Sequence, residues 1–559
     1  MILLEPFRMS KVCLHHIQSG HFHKGLTCFS GCLPKKNSSI FMVPVRAFAL
    51  CCYASRTFAS VGSLDTDEAS QKSHVSNSNN FQRSVTSFQN SSDKLDGMKD
   101  FERELQELFD EVKMMIMMGN QNDAIDLLQA NYEAVKERMN ARVRGIEEAA
   151  TIDIIALGYM AIGDLKFVDS LLDMDDEPLL DSVLVHMGSM YSTLGKFEKS
   201  MSAYRRAIGN MENIYGKNSV FLITPILGMA KVLSSIGRTS KAVEFYHRAI
   251  SLLESSRGAE SEDMVIPLFG VGSLLLKEGK PVEAETPFLR IFNIYKKLYG
   301  ENDGRVGLAM CSLAHVKCAV GDANEAISLY RKALQVITTS NYMALDDSIM
   351  EKMRIDLAEL LHAVGRGKEG RELLEQCLMI TEKYKGKEDP SSATHLINLA
   401  TSHSRSKNYV EAERLLRTSL EIMGKTVGPD DQSITFPMLH LAVTLYHLKR
   451  DEEAEQLALE ALHIREKAFG KDTLPVAEAL DCLVSIQTRL MKDDEELLEQ
   501  LKRVLSIQEK EFGPEGGEVM ITLKKVVFYL DKLGRKNEIF PLQKRLSALR
   551  MKFKQRIQH

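Results

Sequence analysis

From residue 180 to the C-terminus, small, aromatic and apolar side chains recur in a fixed order. A Gly or Lys closes one amphipathic stretch. A small residue follows five positions later, an aromatic or Leu four further on, and a small or apolar residue three beyond that. The copies read Gly195/Ser200/Tyr204/Ala207, Gly237/Ala242/Tyr246/Ala249, Gly279/Ala284/Phe288/Ile291, Gly321/Ala326/Tyr330/Ala333, Gly365/Gly370/Leu374/Cys377, Lys407/Ala412/Leu416/Ser419 and Lys449/Ala454/Ala458/Ala461. Two degenerate copies close the series, Lys492/Leu497/Leu501/Val504 and Gly534/Ile539/Gln543/Leu546. The second members are spaced by 42 residues, with one interval of 44 and one of 43.

Spacings of four and three put these side chains on one stripe of a helix. Twelve positions before each second member stands another residue, small in all but the last copy: Gly188, Ala230, Gly272, Ala314, Ala358, Ala400, Ala442, Ser485 and Val527. Small residues on facing stripes let two helices approach closely, so each unit predicts an antiparallel helix pair around a tight turn. A second mark keeps the same phase, at Gly216, Gly258, Gly300, Gly386, Gly428, Gly470 and Gly513. Gly there suits a left-handed helix C-cap. No such pair buries its apolar face alone, so the pairs must stack on one another. Pro287 falls inside a predicted second helix, where it removes a backbone donor and is expected to kink or shorten the helix.

The 42-residue unit, with segments such as Gly195-Lys196-Phe197-Glu198-Lys199 and Phe469-Gly470-Lys471-Asp472, resembles the tetratricopeptide repeats (TPRs) of kinesin light chains and related plant proteins. The resemblance covers about 180–559. It implies an all-α fold, a right-handed superhelical TPR solenoid of antiparallel helix pairs. It also implies a groove lined by the first helix of each pair. In that family the position two before the small residue of the first helix points inward. Here it reads His186, Gly228, Gly270, Ser312, Asp356, Asn398, His440, Leu483 and Lys525. Three residues later come Ser189, Lys231, Ser273, His315, Glu359, Thr401, Val443, Ile486 and Phe528. Kinesin light chains often place Asn at the first of these positions, against the bound peptide backbone, and only Asn398 matches.

The groove is therefore expected to change along its length. Over 186–315 it is polar with small residues, leaving room for a peptide or helix. Over 352–405 it mixes Lys352, Asp356, Glu359 and Arg405. Beyond that it turns apolar, with Phe436, Val443, Ile486 and Phe528. The candidate binding residues are His186, Ser189, Lys231, Ser312, His315, Asp356, Glu359, Asn398, Thr401, Arg405 and His440.

Residues 98–179 read as two atypical helix pairs, with turns at Gly119-Asn120 and Gly163-Asp164, in the place where a capping repeat is expected. Leu542–Ile557 reads as a basic capping helix. Residues 65–97 are rich in Ser and Asn, lack periodic apolar positions and read as a disordered linker. The first 64 residues carry seven Lys/Arg and one acid, about +6, against a whole-chain net charge of -5. A basic, acid-poor start reads as an organelle transit peptide, with a plastid favoured over a mitochondrion. Five of nine Cys lie in that segment and the other four are scattered, which is no disulfide framework.

Several motifs match chemistry by letter only. Gly365-Arg366-Gly367-Lys368-Glu369-Gly370 fits G-x-G-x-x-G, but a dinucleotide site needs a strand before it, and here a helical stretch precedes. His21, His23, Cys28 and Cys32 lack a standard zinc spacing. Neither H-E-x-x-H nor G-x-S-x-G occurs. The acidic balance beyond residue 64 argues against nucleic acid, and no apolar run reaches the length of a membrane span. The reading is a non-enzymatic, cofactor-free organellar scaffold that holds peptide or helical segments of other proteins. The alternative is a cytosolic adaptor related to kinesin light chains.

Overall fold

The structure is a computed structural model that describes residues 101, 103–140, 146–172 and 181–558. The expected transit peptide, the linker and the His21–Cys32 motif lie outside the described residues. Among the described residues all regular structure is helical. Contacts group the chain into two units that divide within one helix, between Ile294 and Tyr295.

The first unit begins with α1 (103–117), α2 (Gln121–Asn140), α3 (Ile146–Ile162) and α4 (Leu165–Leu172). Three helix pairs follow: α5 (Asp181–Thr193) with α6 (Phe197–Tyr215), α7 (Ile223–Ser235) with α8 (Thr239–Arg257), and α9 (Val265–Lys277) with α10 (Pro281–Tyr299). The pairing register is antiparallel. Ser200 Oγ donates to the Gly188 carbonyl at 2.5 Å, and a Cβ on Gly188 would meet the Tyr204 ring at 2.8 Å. Small residues thus bring the helices together and the aromatic fills the space beside them. α10 passes through Pro287 and keeps the nineteen residues of α6 and α8, so the expected shortening does not occur. One lost donor is outweighed by packing on either side, where Ala284, Phe288 and Ile291 are buried.

The second unit runs from Tyr295. Its pairs are α11 (Gly304–Val320) with α12 (Ala323–Thr339), α13 (Ser348–Ala363) with α14 (Gly367–Lys385), and α15 (Pro390–Arg405) with α16 (Tyr409–Thr426). They continue with α17 (Thr435–His447) and α18 (Asp451–Phe469), α19 (Leu474–Arg489) and α20 (Asp494–Phe512), and α21 (Gly517–Lys532) and α22 (Lys536–Gln558). Gly365 sits in a turn at φ 82°, and a Cβ on Gly370 would lie 2.7 Å from the Ala358 carbonyl. The G-x-G-x-x-G letters therefore serve helix packing.

Two kinds of turn separate the helices. Within a pair the turn residue is left-handed, as Gly195 at φ 72° or, without glycine, Lys407 at 61° and Lys449 at 62°. In the α19–α20 turn that residue is Met491 at φ 55°, one before the Lys492 expected from the repeat. The additional residue lets Asp493 cap α20 by accepting from the Glu496 amide at 3.2 Å, and it accounts for the 43-residue interval. Between pairs, the glycines are not in the expected left-handed helical conformation. Gly470, at φ 85° and ψ 164°, is representative; that mirror-extended region is open essentially to glycine alone.

An ion-pair ladder joins α6 to α8, α8 to α10, α18 to α20 and α20 to α22. Glu212 pairs with Arg248, Glu254 with Arg290 at 2.6 Å, Glu466 with Arg503 at 2.7 Å and Glu509 with Arg545 at 2.5 Å. Each of these arginines also donates to the carbonyl just after the inter-pair glycine, at Lys217, Ala259, Lys471 and Pro514. One guanidinium thereby ties two helices and a loop.

Candidate binding surface

In the first unit, His186 on α5 lies 3.5 Å from Asp153 on α3 through Nδ1. Ser189 is exposed and hydrogen-bonded with the Tyr204 hydroxyl; burial pushes the Tyr204 pKa up to about 12 against that bond. Lys231 is exposed on α7. The room expected at the glycine positions is not there. A Cβ on Gly228 would stand 2.6 Å from the Tyr204 hydroxyl oxygen, and one on Gly270 would stand 2.6 Å from Cε1 of Tyr246. The aromatic of the preceding pair lies over each glycine, so these glycines are seats for a ring and not gaps for a ligand.

In the second unit the first helices carry a continuous polar strip. His315 on α11 places Nε2 3.3 Å from Asp356 Oδ2 on α13, and its ring stands edge-on to buried Tyr330. Lys352, one turn earlier on α13, pairs with the other Asp356 oxygen. Burial alone would raise the Asp356 pKa, but the His315 hydrogen bond and the Lys352 charge outweigh it and hold the carboxyl below its ordinary value. Glu359, one turn further along, is raised instead, by burial first and then by Asp356, with Lys352 and Arg405 pulling the other way. Ser312 donates to the Leu308 carbonyl and Thr401 to that of Ile397, at 3.3 and 2.9 Å, so both hydroxyls are held along their own helices. Asn398 is half-buried and Arg405 exposed, both on α15.

His440 on α17 is buried beside Phe436, with ring centroids 4.4 Å apart. Burial, then Arg465 and Arg405, push its pKa down to about 4, so it is neutral at pH 7. His362, on α13 toward α14, is pushed down to about 4 by burial and by Arg405 and Arg371.

The structure thus brings Ser312, His315, Asp356, Glu359, Asn398, Thr401, Arg405 and His440 onto successive first helices of one unit. His186, Ser189 and Lys231 belong to the other unit. Of the expected apolar end of the groove, Ile486 and Leu483 are buried in the core, Phe436 and Val443 pack against it, and Phe528 is exposed. His362 was absent from the sequence candidates, whereas Lys352 was among the expected groove charges. Nothing in the letters marks His362.

Two thiols of this unit, Cys318 and Cys377, are poor nucleophiles. Burial and then Asp356 push Cys318 up to about 11, and burial pushes Cys377 up to about 12. Among the described residues no group of three or more His, Cys, Asp or Glu could hold a metal ion, and no helix is long and apolar enough to cross a membrane.

Antiparallel helix pairs, small residues at their crossings and a polar strip on the first helices define an all-α TPR-type solenoid. The chain belongs to the family of the MalT-like TPR region, whose model matches residues 170–464. No curated protein sequence matches it. Among solved structures, the nearly identical TPR-like repeats assigned to a kinesin light chain of Podosopora anserina align at 21% identity. They cover 38% of this chain and 99% of that one, with a TM-score of 0.34. The apo form of the quorum sensor NprR from B. thuringiensis aligns at 16% identity over 69% of this chain and 99% of its own, with a TM-score of 0.42. A Rap protein complexed with Competence and Sporulation Factor aligns at 13% identity over 64% and 99%, with a TM-score of 0.34. At such identities the likeness is one of fold.

Proposed function

We propose that the chain is a non-enzymatic scaffold that holds an extended or helical segment of a partner protein against the first helices α11, α13, α15 and α17. One observation carries this reading. Glu359 and Arg405 face the same strip, and neither makes a hydrogen bond or ion pair with another described residue. Asp356, by contrast, is fully engaged by His315 and Lys352. A half-buried carboxylate and an exposed guanidinium without direct partners supply an acceptor and a donor to a peptide, whose backbone and side chains offer both. Asn398 and Thr401 lie between them in sequence order on the strip.

The test is photocrosslinking from position 401 in cells that express the full chain, with and without the pair Glu359→Lys and Arg405→Glu. Capture of a defined partner that the double charge reversal abolishes supports the reading. Capture that the reversal leaves unchanged refutes this strip as the site. The place of action is part of the proposal: the basic N-terminus supports import into a plastid, ahead of a mitochondrion. Import of the full chain, but not of the chain from residue 65, into isolated plastids tests it. Microtubule decoration by a fluorescent fusion would favour the cytosolic adaptor instead.

A further inference from the structure

The second-helix side of the second unit carries a feature that the strip on the first helices does not explain. Four residues before the small position of each first helix stands a core aliphatic: Leu184, Ile226, Leu268, Met310, Leu396, Met438 and Leu523. Two repeats depart from this. Asp481 pairs with Lys525 of the next first helix at 2.6 Å. Arg354 occupies the same column on α13 and is 6% exposed. Its Nη1 donates to the Leu345 carbonyl at 3.0 Å, and among the described residues no carboxylate lies within ion-pair distance. Burial holds its pKa below the ordinary arginine value.

Arg465 shows how this chain satisfies a buried guanidinium. It is also 6% exposed, yet it pairs with Glu478 at 3.1 Å and donates to Thr435 Oγ1 and the Pro475 carbonyl. A buried cation without a counter-ion costs several kcal/mol. At Arg354 the chain supplies one carbonyl and, with Cys377, the more distant charge of Glu351, and no carboxylate in direct contact.

Arg354 lines a cavity of about 630 Å³ between α12 and α14. Its walls include Leu334, Leu345, Leu357, Leu361, Leu373 and Ile380. The opening falls at one of the crossings where the second helices lack the ladder rung, as they also do at Glu382/Thr418 and Gly424/Glu460. The positions that hold Glu and Arg in the four rungs are here Thr338 and Gln376, and both line the cavity. It is also where the repeat interval is 44: α12 stops at Thr339, and the segment 340–347 passes to α13. At the mouth, Glu369 is paired with Arg331 and Arg366, while Glu372 adds a negative charge that disfavours a second anionic group on an occupant.

We propose that this cavity binds a small monocarboxylate with an apolar tail, its carboxylate on the Arg354 guanidinium and its tail against the leucine walls. The volume lies within the roughly 300–1,000 Å³ usual for small-molecule sites. A guanidinium offers a carboxylate two parallel donors. The site is distinct from the strip on the first helices, and its test does not depend on that reading.

The test is calorimetric and thermal titration of the full chain with dodecanoate below its micellar concentration, with dodecanol and dodecyltrimethylammonium as matched controls. Saturable binding of dodecanoate, a raised Tm and at least about tenfold weaker binding of both controls are expected. Arg354→Leu restores the side chain that other repeats carry. It is expected to fold with an equal or higher Tm and to lose dodecanoate affinity by about tenfold or more. Thr338→Glu with Gln376→Arg rebuilds the missing ladder rung across the mouth and leaves Arg354 in place; it is expected to block binding. Absence of binding to the parent chain overturns the proposal. So does equal affinity for dodecanol, or undiminished binding by either variant.

Discussion

Replacing Gly228 by Ala separates a filled groove from an open one. In an open groove the substitution would be favourable, because Gly228 lies inside α7 and Ala is better in a helix interior by about 1 kcal/mol. Here the added Cβ overlaps the Tyr204 ring and lies 2.6 Å from its hydroxyl oxygen, where carbon contacts prefer about 3.5–4.0 Å. Overpacking of this kind costs about 1–3 kcal/mol. The ring has little freedom to retreat, since it is 4% exposed and also covers Gly188 on α5. The net expectation is a loss of up to about 2 kcal/mol despite the helix gain. In a Tyr204→Ala background, itself destabilised by about 3–5 kcal/mol, the obstacle is gone and the same Gly228→Ala change should stabilise by about 1 kcal/mol. The double-mutant cycle therefore changes sign, with a coupling of about 1–3 kcal/mol. Urea denaturation of the four proteins, with hydrogen exchange at α7 to confine the readout to this pair, measures it. Equal stabilisation by Gly228→Ala in both backgrounds would refute the packing argument and restore an open groove at α7.

Three other outcomes follow from the geometry. Gly470→Ala should cost about 1–3 kcal/mol although no atom lies within 4 Å of the new Cβ, because the cost is in the backbone region; thermal denaturation against Gly424→Ala, a helical glycine with equally open surroundings, provides the contrast. Lys449→Gly should be neutral or stabilising by up to about 1 kcal/mol, since it relieves a left-handed lysine at the expense of chain entropy. Acidification should weaken the fold through His440. Its folded pKa lies below the unfolded 6.5, so its contribution is complete above that pH and is lost as the pH falls toward about 4, by on the order of 3 kcal/mol. Stability curves against pH for the parent and His440→Asn should differ most in that window, and parallel curves would sink the assignment.

The repeat was legible because it is written in residues that do one thing. A small residue at a helix crossing has few alternatives, so Gly188, Ala230 and Ala314 announced the pairs without knowledge of their partners. Glycine is ambiguous in another way. At Gly228 and Gly270 the missing side chain signalled space, and only the fold shows that Tyr204 and Tyr246 of the preceding pair take it. Met491 was misplaced by one residue because neither Met nor Lys declares a left-handed backbone. The charged strip was visible as residue types on helical stripes. Which carboxylate is satisfied and which stays open was not, since that is decided by contacts of about 3 Å across neighbouring helices.

A repeat protein supplies its own comparison set, because each column of the unit is filled nine times in one chain. Most departures are explained next door: Asp481 by Lys525, and Met491 by the cap at Asp493. Around Arg354 the departure is not compensated: the aliphatic column on α13 is broken at a crossing where the α12–α14 rung is absent too. Thr338 and Gln376 do not pair across the second helices as Glu466 and Arg503 do, the segment 340–347 offers Arg354 a carbonyl and no carboxylate, and the aliphatic lost at 354 leaves its leucine neighbours lining a void. In a solenoid each pair touches only its neighbours, so such a defect stays local and could be repaired by single substitutions toward the other repeats. A buried cation on the floor of a leucine-lined cavity is better explained by an anionic occupant than by the requirements of the fold, since the other repeats fill that column with an aliphatic or, at Asp481, pair it with Lys525.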